Sequence, residues 1–270
     1  MSAQGDSRSE QARQFYNAAA TASTDFAFMN YGYAPLSAEL AGSAEPEKYC
    51  LQLYRHLLGS ADLRGKKVVE VSCGRGGGAA HVAATYQPAS YLGIDISERN
   101  LGLATQRFAG TSALAFQQGN AEALPLPDAS CDALLNVEAS HLYDNPARFF
   151  AETFRVLKKG GMFFHVDLAW KDKDPPGMIA AAGFEIVAVE DITQNVVQAL
   201  DLDSVRREAI VMSFPESLRK DFRDWSGVKD FRAYNRLKTG EWIYRITRAK
   251  KGTDLFFDAP PASTARENKK

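Results

Sequence analysis

The chain has 270 residues, of which 45% are apolar, and its net charge is −1. These values predict one large folded domain and exclude a global field that attracts nucleic acid or an anionic membrane. The sequence has no run of eighteen apolar residues and does not open with a signal peptide, so we expect no membrane insertion. Its three cysteines are odd in number and lack metal-ligand spacing, which predicts reduced thiols in a cytoplasmic protein.

Composition divides the chain into three parts. Residues 1–45 begin with a polar stretch, continue through a helix predicted near 11–20 and end in an aromatic segment, and we expect them to form an arm or lid. Residues 46–250 carry the main domain, which opens with a helix predicted at 46–58. Residues 251–270 are charged and rich in proline and alanine, which predicts a disordered tail.

Apolar runs alternate with amphipathic segments through the main domain. This alternation predicts an α/β fold with a doubly wound, mostly parallel sheet. We expect strands near 67–72, 90–95, 113–117, 132–136, 161–167 and 184–191, with helices near 78–86, 97–108, 146–157 and 175–182. An insertion at about 193–239 then carries apolar residues at helical spacing. Its helices either cap the substrate site or only extend the core.

A glycine-rich turn follows the first strand and points to a nucleotide-like ligand. The β-branched run Val68–Val71 stops at the sequence Cys-Gly-Arg-Gly-Gly-Gly, and small residues then open a helix. The next apolar run ends on Asp95, twenty-one residues past Gly74, where a carboxylate suits the two hydroxyls of a ribose. This pattern predicts an adenosine-containing ligand at the carboxyl edge of the sheet. The glycine spacing alone also fits dinucleotide-binding proteins.

Five motifs in succession carry a family resemblance. EVSCGRGGG, GIDIS, GNAEALPLPD, NVEASH and LKKGGMFFHVDL resemble the ordered motifs of class I S-adenosylmethionine-dependent methyltransferases, and the resemblance covers roughly Glu47 to Lys250. EVSCGRGGG and LNVEASHLY look especially similar to the phthiotriol/phenolphthiotriol dimycocerosate O-methyltransferases, and a broader likeness is to natural-product O-methyltransferases. The resemblance implies a seventh, antiparallel strand near 241–248 beside the fifth. It also implies S-adenosylmethionine as cofactor, S-adenosylhomocysteine as product and no metal.

The resemblance assigns one group of residues to the methionine part of the cofactor. Gly74, Gly76 and Gly78 would pass beneath it. Glu70, an acidic residue inside the first strand, would reach the cofactor ammonium directly or through water, since a buried carboxylate needs a partner. Asn136, at the end of the fourth strand, would present its backbone carbonyl to the same ammonium.

A second group is assigned to the adenosine part. Asp95 would bind both ribose hydroxyls, and Ile96 would pack on the adenine ring. Asn120, Ala121 and Glu122 would meet the adenine edge. Many relatives have aspartate where this chain has Asn120, but an amide oxygen still accepts a hydrogen bond from the adenine amino group.

His141 is the candidate general base. It follows the fourth strand by five residues, at the carboxyl edge where open α/β sheets bind ligands, and imidazole titrates near neutral pH. Similar sugar O-methyltransferases have histidine and aspartate at the positions of His141 and Asp167, so Asp167 would orient the ring or bind substrate. The alternative is a structural histidine that caps a loop. His165 alternates with Asp167 along the fifth strand and is expected to be structural.

The aromatic segment before the core resembles one that closes over the cofactor in related methyltransferases. Tyr31 and Tyr33 are therefore candidates for a lid, and Tyr33 for contact with the cofactor. The alternative is that these rings only pack the arm against the core.

The leading functional prediction is methyl transfer to a hydroxyl of a hydrophobic small molecule, either a secondary metabolite or a lipid. Alternatives are transfer to carbon or nitrogen, a nicotinamide-dependent oxidoreductase, and a protein that binds the cofactor without methyl transfer. The segment 136–141 supplies no Tyr-x-x-x-Lys pair for the oxidoreductase. We expect a monomer or homodimer without a nucleic-acid partner, and the sequence leaves the identity of the acceptor open.

Overall fold

The computed structural model describes residues 7–24, 26–36 and 47–252. Within them, seven strands form one sheet in the order β3-β2-β1-β4-β5-β7-β6. The strands are β1 (Lys67–Val71), β2 (Ser90–Asp95), β3 (Leu114–Gln118), β4 (Cys131–Val137), β5 (Leu157–Trp170), β6 (Phe184–Asp191) and β7 (Trp242–Lys251). Strands β1 to β5 pair in parallel, whereas β7 runs antiparallel between β5 and β6. The predicted α/β class and the inserted antiparallel strand are confirmed.

Helices cover both faces of this sheet, largely where the sequence predicts them. They are α1 (Arg8–Ala22), α2 (Lys48–Leu58), α3 (Gly77–Tyr86), α4 (Glu98–Arg107), α5 (Pro146–Val156), α6 (Pro175–Ala181), α7 (Thr193–Ser213), α8 (Glu216–Trp225) and α9 (Arg232–Lys238). Strand β5 begins directly after α5 and is longer than predicted. Its extension at the carboxyl end follows from its pairing with β7 along the whole stretch from Met162 to Trp170, while Leu157 at the other end pairs with Cys131 of β4.

Two apolar clusters hold the helices against the sheet. One packs α2, α3, α7 and α9 on the face that carries Val68 and Leu135. The other packs Phe149 and Phe150 of α5 against Phe163 on the opposite face. Burial of a large apolar side chain contributes roughly 1.5–3 kcal/mol. Because β1 and β4 are covered on both faces, they read as nearly continuous apolar runs.

The N-terminal arm lies on the main domain as far as it is described. Ser7 caps α1 by accepting a hydrogen bond from the Glu10 N–H. Further along the helix, Arg13 and Asn17 both contact Glu98 at the start of α4. Outside the described residues lie residues 1–6 of the predicted polar stretch, residues 37–46, and residues 253–270 of the predicted tail. Residue 251, expected in the tail, ends β7 instead.

The insertion between β6 and β7 forms α7, α8 and α9, which we call the cap. The cap and arm share a third apolar cluster. Phe222 of α8 stacks on Phe214 at a ring distance of 3.9 Å and on Phe15 of α1 at 4.8 Å. Among the described helices, none is long and apolar enough to cross a bilayer.

Candidate active site

The main cavity opens at the carboxyl ends of β1, β2 and β4 and has a volume of about 870 Å³. Its floor is the turn after β1, and its walls are the turns after β2, β3 and β4. Residues of α1 and of the segment 27–30 cover it. This is the edge at which open parallel sheets bind ligands.

The glycines of the turn are fixed by close neighbours as well as by backbone conformation. Gly74 has φ +53°, and a Cβ there would lie 2.2 Å from the methyl carbon of Met29. A Cβ at Gly78 would lie 1.9 Å from the Tyr54 ring. Gly74 and Gly78 line the cavity, whereas Gly76 does not and instead is the N-cap residue of α3, with φ +77°. The chain therefore brings backbone and the Tyr54 ring close to the predicted methionine site.

Asp95 is buried at the end of β2 and lines the cavity. Its Oδ2 accepts a hydrogen bond from the Gly74 N–H, and its Oδ1 accepts one from the Ser97 N–H, both at 2.8 Å. Burial raises the pKa of the carboxyl, although the backbone hydrogen bonds oppose that rise. Each carboxylate oxygen has a second lone pair, so Asp95 retains the capacity to accept from two ligand hydroxyls.

Asn100 is a cavity residue that the sequence reasoning missed. It lies one turn into α4, lines the cavity and is 1% exposed. Neither its Oδ1 nor its Nδ2 has a hydrogen-bond partner among the described residues. A buried amide without partners costs free energy unless a ligand satisfies it. Asn100 therefore points to a polar ligand beside Asp95.

Glu70 does not line the cavity. Its two carboxylate oxygens accept hydrogen bonds from the hydroxyls of Tyr54, at 2.6 Å, and Tyr91, at 2.9 Å. Burial raises the pKa of Glu70 to about 7, against the lowering effect of those two bonds. Glu70 is joined to the cavity by Tyr54, which does line it, and its contact with a cofactor ammonium, directly or through water, stays a prediction.

The predicted adenine-side residues separate into two groups. Ile96, Asn120 and Ala121 line the cavity together with Asp95. Glu122 does not, because its Oε1 accepts from two backbone N–H groups before α5, at 2.9 and 3.1 Å. Glu122 thus holds a loop rather than facing the cavity.

Asn136 lies behind the cavity wall and not on it. Its Nδ2 donates at 2.9 Å to both the Val71 carbonyl and the Tyr143 hydroxyl. Tyr143 also bonds to the Ser72 hydroxyl at 2.7 Å, and both Tyr143 and Ser72 line the cavity. The side chain of Asn136 therefore positions the two hydroxyls that face the cavity.

His141 and Asp167 form a hydrogen-bonded pair. The distance from His141 Nδ1 to Asp167 Oδ1 is 2.7 Å, and Asp167 Oδ2 accepts from the His141 backbone N–H at 2.9 Å. Burial lowers the pKa of His141, but the charge and hydrogen bond of Asp167 outweigh it and raise the pKa above 6.5. Burial alone would raise the pKa of Asp167, but His141 lowers it, so the carboxyl stays ionised.

The pair sits beside the cavity. His141 belongs to a 3-10 turn at Ser140–Leu142, and its side chain is 24% exposed. His141 itself is not on the cavity wall, but Ala139 and Leu142 on either side of it are. His141 therefore adjoins residues of the cavity wall in the chain.

Ser140 and His165 support Asp167 from behind. The Ser140 hydroxyl donates to Asp167 Oδ2 at 2.6 Å and lies 2.9 Å from His165 Nε2. Burial lowers the pKa of His165 to about 4, so its ring is neutral at physiological pH. His165 thus contributes hydrogen bonding without charge, as expected for a structural residue.

Glu138 is a second carboxyl group on the cavity wall. Its backbone φ is +54°, a strained value for this residue type, and Oε2 accepts from the Tyr31 N–H at 2.8 Å and from the Tyr244 hydroxyl. Burial raises its pKa to about 7. The sequence reasoning assigned no role to Glu138.

The predicted lid tyrosines do not line the cavity. Tyr31 is 4% exposed, and its hydroxyl donates to the Trp225 carbonyl at 2.7 Å. Tyr33 stacks on the His56 ring at 4.0 Å. The contact of Tyr33 with a cofactor stays a prediction. Tyr16, in α1, lines the cavity instead.

Arg75 ties the glycine turn to the arm. Its guanidinium donates to the backbone carbonyls of Ala19, at 3.0 Å, and Phe26, at 3.4 Å. It also lies 3.8 Å from the centre of the Phe26 ring. Arg75 is 2% exposed and lines the cavity, so the floor of the cavity and its cover are joined by one side chain.

No cluster of three or more histidine, cysteine or acidic side chains that could hold a metal occurs in the described residues.

Comparison with known sequences relates the chain to methyltransferases. Residues 69–165 match the family model described as a methyltransferase domain. The chain is 35% identical to the fatty-acid O-methyltransferase of Mycolicibacterium smegmatis over 227 residues, which cover 82% of both chains. It is also 35% identical to the phthiotriol/phenolphthiotriol dimycocerosates methyltransferase of Mycobacterium tuberculosis over 233 residues, 82% of this chain and 84% of the relative.

Solved structures with the same fold perform different reactions. The [4+2]-cyclase SpnF is 22% identical, with a TM-score of 0.71 over 91% of this chain and 97% of SpnF. The geranyl diphosphate C-methyltransferase of Streptomyces coelicolor is 15% identical, with a TM-score of 0.69 over 92% of this chain and all of the relative. That structure contains Mg²⁺, geranyl diphosphate and S-adenosylhomocysteine. At these identities the likeness shows the fold alone.

Proposed function

The chain belongs to the S-adenosylmethionine-dependent methyltransferases, and we propose that it transfers a methyl group to a hydroxyl of a hydrophobic small molecule. The observation that carries this proposal is the His141–Asp167 pair, which adjoins residues of the main cavity wall. Family membership rests on the two mycobacterial relatives at 35% identity.

The cavity residues fit the cofactor. Asp95 has free lone pairs for ribose hydroxyls, and the unpaired amide of Asn100 offers both a donor and an acceptor beside it. Ile96 supplies an apolar wall for a flat ring, and the glycine turn with Tyr54 would hold the amino-acid part. When bound, S-adenosylmethionine supplies a methyl group on a positively charged sulfur.

His141 is the proposed base. Asp167 stabilises the tautomer of neutral His141 that carries its proton on Nδ1, because Asp167 accepts a hydrogen bond there. Nε2 is then the free acceptor. It would take the proton of an acceptor hydroxyl as the oxygen attacks, and the resulting imidazolium would be stabilised by the charge of Asp167.

The pair favours a hydroxyl over a carboxylate as the acceptor. A carboxylic acid is already ionised at neutral pH and needs no base. The carboxyl of Glu138 also faces the cavity and would repel a second carboxylate once ionised. A neutral hydroxyl does need a base, and the charge of Glu138 does not repel it. Glu138 would in addition accept a hydrogen bond from a hydroxyl near His141.

The arm would act as the lid. Helix α1 and residues 27–30 cover the cavity. Arg13 and Asn17 of α1 hold it to Glu98 of α4, and Arg75 holds it to the glycine turn through the Ala19 carbonyl. S-adenosylmethionine would enter and leave the cavity by displacing α1 and residues 27–30. Closure would exclude water from the reacting groups.

The proposal is tested with ¹³C-methyl-labelled S-adenosylmethionine and two probe acceptors, dodecan-1-ol and dodecanoic acid. We expect the label on oxygen, with turnover of the alcohol and a much lower rate with the acid. A carbon-bound label with a prenyl or enol acceptor would assign the chain to C-methyltransferases. Labelling of the acid alone would contradict the role given to His141, and binding of S-adenosylhomocysteine without transfer to any acceptor would indicate a non-catalytic binding protein.

A further inference from the structure

A second pocket lies between the arm and the cap, with a volume of about 430 Å³. It is separate from the cavity described above and is lined mainly by apolar side chains. Those that matter here are Phe26, Ile210, Val211, Phe214, Phe222 and Trp225. The pocket is therefore an apolar space between the arm and the cap.

The two cations in the wall of this pocket are neutralised. Arg207 donates to the carbonyls of Asn30 and Ser226 and lies 3.1 Å from Asp203. Arg206 forms a bidentate pair with Asp203 and lies 3.8 Å from Glu47. With their charged ends engaged, both arginines offer the pocket mostly alkyl stems. The pocket therefore suits an uncharged, apolar ligand and not an anion.

The pocket shares a wall with the main cavity. Phe28, Met29 and Asn30 line both spaces. Tyr31 extends this wall: its N–H binds Glu138, on the cavity side, and its hydroxyl binds the carbonyl of Trp225, on the pocket side. A ligand that followed this wall would pass from the side of the cavity near Glu138 into the cap.

Met29 is the movable part of the wall. Its methyl carbon lies against Gly74 in the cavity, and its side chain also packs with the apolar cluster of arm and cap. An unbranched thioether with three rotatable bonds adopts alternative positions at little cost. A change in the Met29 rotamer would join the two spaces.

We propose that this pocket is the seat of a linear alkyl chain of the acceptor, whose hydroxyl end reaches His141. The proposal rests on the proposed function for the identity of the hydroxyl end. It assigns to the cap, which does not contribute to the main cavity, the recognition of the acceptor tail.

The binding test uses 12-bromododecan-1-ol, because bromine quenches the fluorescence of a tryptophan that it touches. Trp225 is the pocket residue, while Trp170 and Trp242 face each other at the end of β5 and β7. We expect saturable quenching in the wild type, and its loss in Trp225→Phe. Ile210→Arg, which sets a long cation across the pocket, should weaken probe binding at least tenfold. Val205 lies on the same helix and is 88% exposed, so Val205→Arg is the matched control and should bind the probe normally.

A chain-length series gives a second readout. In methyl transfer to alkan-1-ols, each added methylene that enters the pocket should lower KM about fourfold, which corresponds to ~0.8 kcal/mol per methylene. The trend should stop when the pocket is full. In Ile210→Arg it should stop at a shorter chain.

The two proposals fail separately. Quenching of Trp225 without any methyl transfer would support binding of an alkyl chain in this pocket and overturn the proposed reaction. Methyl transfer without quenching, with a KM independent of chain length and equal in Ile210→Arg and Val205→Arg, would overturn the alkyl seat. Normal thermal unfolding of Ile210→Arg, measured beside Val205→Arg, excludes misfolding as the cause of lost binding.

Discussion

Replacement of Asp167 by asparagine perturbs the candidate site at its most constrained group. Asp167 accepts four hydrogen bonds. Oδ1 receives those of His141 Nδ1 and the Leu168 N–H, and Oδ2 receives those of the Ser140 hydroxyl and the His141 N–H. Each oxygen therefore faces a backbone donor. In Asp167→Asn the amide NH₂ must point at one of them, and a buried donor left unpaired costs about 1–3 kcal/mol.

The same change alters the proton on His141. If the NH₂ of asparagine faces Nδ1, that nitrogen becomes an acceptor, and the proton moves to Nε2. His141 then has no lone pair for the acceptor hydroxyl. We expect kcat for an alcohol to fall about 10²–10⁴-fold, the range for lost general-base catalysis, with little change in the affinity for S-adenosylhomocysteine.

The pH profile of Asp167→Asn separates catalysis from structure. Neutral His141 is the active form, so the wild-type rate falls as pH drops through the raised pKa, above 6.5. Without the charge and hydrogen bond of Asp167, burial lowers the pKa of His141 against only the charge of Glu138. The residual rate of Asp167→Asn should therefore begin to fall at a lower pH than the wild-type rate does. Asp132→Asn is the control, since Asp132 bonds Lys67 and Lys158 at the opposite end of β4. A variant Asp167→Asn with wild-type kcat and an unmoved acid limb would refute the role of the pair.

Further predictions concern the cofactor side of the cavity. Asn100→Ala should weaken S-adenosylhomocysteine binding by about 1–3 kcal/mol in isothermal titration, because its amide has no other partner, while the exposed neighbour variant Arg99→Ala should bind normally. Gly78→Ala should lower both the melting temperature and cofactor affinity because its Cβ would overlap an aromatic ring, whereas Gly102→Ala, with open space around it, should be neutral or stabilising. Arg75→Met should make the arm sensitive to limited proteolysis and raise KM for the cofactor. An arm equally protected in that variant would show that Arg75 does not hold the cover.

The sheet could be predicted from the sequence because its signals are local. Strands β1 and β4 are buried on both faces and therefore read as apolar runs, and Gly74 and Asp95 mark the carboxyl edge by their position after such runs. The length of β5 could not be predicted. Its carboxyl end is fixed by pairing with β7, which lies more than seventy residues later in the chain, and its first residue, Leu157, pairs with Cys131 of β4.

The cavity wall was predicted well where backbone position decides the contact, and poorly where tertiary packing does. Ile96 and Asn120 follow strands and lie where expected. Glu70 is buried as expected, but its carboxylate oxygens accept hydrogen bonds from the hydroxyls of Tyr54 and Tyr91. Nothing in the sequence around Glu70 predicts these two partners.

Sequence reasoning named Tyr31 and Tyr33 for the cover of the cavity but not the residues of the same segment that line it. Tyr31 and Tyr33 are not part of the cavity wall, whereas Tyr16 and Met29 are. One signal was available for Asn100, a polar residue three positions after the N-cap Ser97 on the face of α4 that also carries the buried Leu101 and Ala104.

The measurement that tests the account most directly is the turnover of His141→Ala from pH 6 to pH 9, together with its affinity for S-adenosylhomocysteine. The account predicts a kcat about 10²–10⁴-fold below wild type with an alcohol acceptor, loss of the acid limb assigned to the imidazole, and unchanged cofactor affinity. Wild-type turnover of His141→Ala across that pH range would contradict it. Transfer would then be driven by proximity alone, to an acceptor that needs no base.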